Sequence, residues 1–131
     1  MLVAALGGLA ISALSIAPAH AEAGWQSLGN SGFYSDADLN GCHTRTFSSG
    51  GGYIRWYFYR PGHPDDRTTV RVYEYDAGNA DELIGTSYPS DGMVSRLYVD
   101  DFTDGDNGKA EIYFKVSDSD CTGAPEVHVD D

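Results

Sequence analysis

Two residue types carry most of the chemistry open to this chain, aspartate and tyrosine. It has 15 Asp against 5 Glu. Carboxylates gathered in loops suit a hard cation, because Ca²⁺ takes about six to eight oxygens in flexible geometry. Asp76, Asp81, Asp101, Asp104 and Asp106 fall in two turn-rich stretches, 76–81 and 100–108, and are the candidate ligands. Asp104-Gly105-Asp106-Asn107-Gly108 places oxygen donors closely but lacks the later Glu that completes an EF-hand loop. No cofactor is expected, with Ca²⁺ as the one alternative should these loops meet. The competing role for so many aspartates is local: they accept from turn amides and keep an exported chain soluble.

Tyrosine offers a different chemistry. Tyr53, Arg55, Tyr57, Tyr59, Arg71, Tyr73, Tyr75, Arg96, Tyr98 and Tyr113 alternate with apolar residues, always on the opposite side. Tyr and Arg each combine a flat apolar plane with polar ends, and both are enriched at recognition hot spots. A row of them suits an extracellular protein or a glycan. The competing role is packing, since Tyr favours strands and pairs well across them.

Catalytic patterns are weak. His43, His63 and His128 have no metal-site spacing, and no Gly-x-Ser-x-Gly elbow occurs. A glycosidase needs two carboxylates facing each other across a cleft, which a domain this small rarely forms. The expectation is a non-catalytic binding module. A small secreted hydrolase is the third reading, after a Ca²⁺-dependent module.

One segment resembles a family. Val72-Tyr73-Glu74-Tyr75-Asp76, followed by Asp81-Glu82-Leu83-Ile84-Gly85, is similar to a calcium-loop hairpin of C2 domains. Those are calcium- and lipid-binding β-sandwiches. The resemblance covers about a dozen residues and implies Glu74, Asp76 and Asp81 as ligands, with Glu74 standing where that family carries Asp.

These residues must be positioned by strands. Tyr53–Arg60, Thr69–Tyr75, Met93–Val99 and Ala110–Val116 alternate with period two and are rich in β-branched and aromatic residues. Trp25–Leu28, Cys42–Phe47, Glu82–Tyr88 and Glu126–Val129 are weaker candidates. Turn clusters separate them, and no window shows helical spacing. The alternation predicts a core of Ile54, Trp56, Phe58, Val70, Val72, Leu97, Val99, Ile112, Phe114 and Val116. The fold class to expect is all-β: an antiparallel β-sandwich of seven or eight strands, of immunoglobulin-like or C2-like size. If each connection reverses the chain, loops 48–52, 76–81 and 100–108 share one end.

The rest of the composition says where such a domain works. Residues 1–21 are apolar and uncharged, with Pro18 and then Ala19-His20-Ala21 as a small-x-small cleavage site, which reads as a secretory signal peptide. Residues 22–131 then form one domain, secreted and extracellular, with no stable membrane insertion after cleavage. Cys42 and Cys121 are the only cysteines and should pair in an oxidising compartment. All 20 acidic and 8 basic residues lie in the mature part, and the net charge of −12 argues against nucleic-acid binding.

Overall fold

Alternating apolar and polar side chains give each strand one face to bury, and two sheets bury those faces against each other. The computed structural model describes residues 24–36, 41–62, 66–104, 107–121 and 123–131. Ten strands form among them: β1 (Ser27–Gly32), β2 (Tyr34–Asp36), β3 (Gly41–His43), β4 (Phe47–Ser49), β5 (Tyr53–Tyr59), β6 (Val70–Glu74), β7 (Glu82–Ser87), β8 (Val94–Tyr98), β9 (Ala110–Val116) and β10 (Glu126–Asp130). A 3₁₀ turn at Asp100–Phe102 and one helical turn, α1 (Asp118–Cys121), complete the elements. The fold is an all-β antiparallel sandwich with one disulfide, and it has more strands than the seven or eight expected. The proposed signal peptide, residues 1–21, lies outside the described residues.

The first sheet has the order β1-β10-β5-β8. The second has the order β2-β3-β9-β6-β7, with β4 also paired to β9. Cys42–Phe47, read as one strand, is broken in two. At the break Thr44 takes over part of the ladder: its N–H donates to the Phe114 carbonyl at 2.9 Å, and its Oγ1 accepts from the Phe114 N–H at 3.1 Å.

Nine of the ten expected core residues are buried, and Leu97 is half-buried against them. Phe47, Val127 and Val129 join the core from the weaker strands. Trp56 of the first sheet meets Phe114 of the second at 5.0 Å between ring centroids. Each fully buried side chain of this size contributes about 1.5–3 kcal/mol.

The Cys42–Cys121 disulfide forms as expected and ties β3 to α1 across a separation of 79 residues. The chain-entropy account makes a bridge of that span worth up to about 4.5 kcal/mol.

The shared end for the three loops also follows. Gly52 N–H donates to Asp100 Oδ1 at 3.2 Å, and Val99 N–H donates to the Gly52 carbonyl at 2.7 Å. Gly51 has φ +110°, and a Cβ there would stand 2.5 Å from Asp100 Oδ1. Only glycine fits that approach.

Candidate functional site

The ten Tyr and Arg candidates do not form one surface. Period-two alternation places them all away from the core, but a sandwich has two outer faces. Tyr53, Arg55, Tyr57, Tyr59, Arg96 and Tyr98 lie on the first sheet, on β5 and β8. Arg71, Tyr73 and Tyr113 lie on the second, on β6 and β9, and Tyr75 lies just past the end of β6. The expected single row is therefore two separate groups.

The first face is open. β5 and β8 pair Tyr53 with Tyr98, Arg55 with Arg96 and Tyr57 with Val94. The Tyr53 and Tyr98 rings lie 5.0 Å apart at 59°. Tyr53, Tyr98, Tyr59 and Val94 remain 59, 44, 43 and 49% exposed. Tyr98 donates to Asp100 Oδ2 at 3.3 Å, and the Asp100 charge raises its phenol above the ordinary value.

The two arginines on this face are partly engaged. Arg55 Nε bonds Asp130 Oδ2 at 2.8 Å. Trp25 lies against both guanidinium groups, 4.9 Å from Arg55 and 5.2 Å from Arg96. Sequence reading did not single out Trp25; its place just beyond the apolar leader was the available signal. His128 on β10 bonds Asn30 through Nδ1 and Asp130 through Nε2, the latter at 2.7 Å, so both ring nitrogens have protein partners.

The centre of the second face is closed on itself. Tyr73 and Tyr113 stack at 5.4 Å and 14°. Tyr113 meets His43 edge-on at 5.9 Å, and His43 meets Tyr34 at 4.5 Å. Tyr113 is only 6% exposed, and its hydroxyl donates to Asp81 Oδ2 at 2.6 Å. Burial, then that bond to a carboxylate, hold its phenol well above the ordinary range.

The aspartates separate as well. Asp76 and Asp104 line one hollow at the loop end, of about 580 Å³, with Glu74 and Glu111. Asp81 uses Oδ1 for the Asp76 N–H at 3.3 Å and Oδ2 for Tyr113. Asp101 is exposed in the 3₁₀ turn and is not part of that wall. Asp106 lies outside the described residues, as does His63. Asp76 is held below the usual carboxylate range, first by the Asn79 amide and then by the Gly78 N–H. Among the described residues no three His, Cys, Asp or Glu side chains are grouped so as to hold a metal ion.

Glu111 was not anticipated. It precedes Ile112, the cross-strand partner of Glu74, and only that register brings it to the hollow. A smaller cleft of about 270 Å³ lies between β7 and β8 over Trp56 and Leu97.

No curated protein matches the chain in sequence. A family model described as the YndA coiled coil domain matches residues 27–129, a span that here forms antiparallel strands from β1 into β10 rather than long helices. By that match over most of its length, the chain belongs to the YndA coiled coil domain family.

Proposed function

We propose that the chain is a secreted, non-catalytic binding module that holds an extracellular partner on the outer face of β5 and β8. The carrying observation is the exposure of Tyr53, Tyr59 and Tyr98 on paired strands of a rigid sheet. Aromatic side chains with few rotatable bonds lose little entropy when a partner covers them. Arg96 stands beside them, exposed. Secretion is supported by the apolar leader and by a disulfide of the kind that persists in oxidising compartments.

A protein is the favoured partner. Val94 adds exposed apolar surface to the same face, and the 59° tilt between Tyr53 and Tyr98 denies a sugar ring one flat platform. The second reading is a glycan, favoured by the Tyr98–Asp100 pair, which sets a ring beside a hydroxyl-accepting carboxylate.

The test is capture on immobilised mature domain, from culture supernatant and from cell-wall polysaccharide in separate arms. The double variant Tyr53→Ala/Tyr98→Ala should lose capture, whereas Tyr73→Ala on the opposite sheet should retain it. Undiminished capture by the double variant would overturn the reading.

A further inference from the structure

Glu74 is out of place by the logic of its own strand. Val70, Val72 and Glu74 project to the core side of β6, and cross-strand pairing sets Glu74 beside buried Ile112. A carboxyl group at such a position is costly unless something compensates it. Glu74 is 6% exposed. No hydrogen bond or ion pair joins its carboxyl group to any described residue. It contributes instead to the wall of the loop-end hollow.

The surroundings deepen the anomaly. Asp76, Asp104 and Glu111 share that wall, and among the described residues no Lys or Arg does. Burial first, then the charges of Asp104, Asp76, Glu111 and Asp81, push the Glu74 carboxyl up to about 7. A positive group entering the hollow reverses the sign of that environment. Tyr75, 43% exposed, also lines the hollow, as does Asn79, whose amide N–H is held by Asp76.

The described lining suits an organic cation better than a bare metal. Ca²⁺ needs about six to eight oxygens packed at roughly 2.3–2.6 Å, and no three acidic side chains are so grouped among the described residues. The space, about 580 Å³, matches the range of small-molecule sites. An ammonium group on an alkyl chain asks for a looser shell. It donates about three hydrogen bonds in rotatable directions, its stem needs room, and an aromatic face is attractive to it.

From this geometry we propose that the hollow formed by Glu74, Asp76, Asp104 and Glu111 binds an organic ammonium group, carried either by a free polyamine or by a lysine side chain of a partner. This goes beyond the recognition face on β5 and β8 and does not depend on it.

Calorimetry on the disulfide-intact mature chain at pH 8 tests the proposal, with spermidine, an Nα-acetyl-lysine amide and CaCl₂ as separate probes. Uptake of spermidine alone points to a polyamine, and uptake of the lysine amide to a partner's side chain. For whichever amine binds, Asp104→Asn/Glu111→Gln should weaken binding at least tenfold. Glu74→Gln should also weaken it while leaving the fold intact. Glu126→Gln, which removes one charge at the far end of β10, should change it less than threefold.

Silence with both amines overturns the proposal. So does equal weakening by Glu126→Gln, which would mean attraction by net charge alone. Ca²⁺ binding that neither amine displaces would also overturn it, in favour of a metal site.

Discussion

The two outer faces of the sandwich are built from the same residue types and behave differently. On β5 and β8 Tyr53, Tyr59 and Tyr98 stand out into solvent, Tyr57 is half-buried against His128, and Trp25 lies against both arginines. On β6 and β9 Tyr73 and Tyr113 stack, His43 packs against Tyr113, and Asp81 takes the phenolic hydrogen. The first face leaves most of its aromatic surface available, while the centre of the second has spent its own internally and keeps exposed tyrosines only at its margins, as at Tyr34 and Tyr75. The lesson is that alternation alone does not tell a packed tyrosine from an available one: Tyr113 is buried and bonded to Asp81, whereas Tyr53, Tyr59 and Tyr98 keep much of their surface exposed.

This contrast can be broken in several ways. The largest effect should come from the disulfide. Cys42→Ser/Cys121→Ser should lower stability by up to about 4.5 kcal/mol. Because β3 belongs to the second sheet, hydrogen exchange should rise there first, in β3 and β9, and less in β5 and β8. Uniform acceleration across both sheets would show that the faces unfold as one unit.

Next comes the closed face itself. Tyr113→Ala removes a buried ring and leaves Asp81 Oδ2 without its donor, and should cost about 3–4 kcal/mol in denaturant unfolding. Tyr113→Phe keeps the ring and should cost about 1 kcal/mol. A neutral Tyr113→Ala would erase the distinction between the faces.

The loop end gives a smaller, pH-dependent effect. Glu74 titrates near 7 in the folded chain, above its ordinary value of 4.5, so the folded state holds that proton more tightly than the unfolded one. Its contribution is therefore full below about pH 4.5 and declines as pH rises through 7. Glu74→Gln should raise the melting temperature at pH 8 by several degrees, equivalent to about 1–2 kcal/mol, and should change little at pH 4.5. A loss of stability at pH 8 would mean that the carboxylate has a compensating partner.

The smallest effect belongs to the open face. Tyr53→Ala and Tyr98→Ala should each move stability by no more than about 0.5–1 kcal/mol. Larger losses would assign these tyrosines to packing rather than recognition.

Much of this architecture is legible in the sequence, for identifiable reasons. β5, β6, β8 and β9 announce themselves because period two distinguishes Ile54, Trp56 and Phe58 from Tyr53, Arg55 and Tyr57. Chain reversal correctly brings loops 48–52, 76–81 and 100–108 to one end. What period two does not encode is which sheet a strand joins, so the split of the Tyr/Arg set between two faces was invisible. β2 was missed because three residues are too few to alternate. The break after His43 depends on Thr44 standing in for a ladder bond with Phe114, a contact 70 residues away. Chain reversal brought Asp76 and Asp104 together but did not show that Asp81 turns toward Tyr113. Glu74 sits in phase with Val70 and Val72, yet a carboxylate read from sequence suggests a strand end; its burial comes from the three-dimensional depth of the loop end.

Gln26 and Asp131 exchange backbone hydrogen bonds of 2.6 and 2.9 Å, continuing the β1–β10 pairing to its last residue. Tension applied through these two points would act on neighbouring antiparallel strands at the same end. It would open their bonds one after another like a zipper instead of shearing them together. The peel would travel along β1 and β10 and halt at the Cys42–Cys121 bridge, which withholds residues 43–120 from extension. Under load the molecule is thus a short extensible leash at either end of a covalently locked block, and that block retains the strands bearing both tyrosine groups.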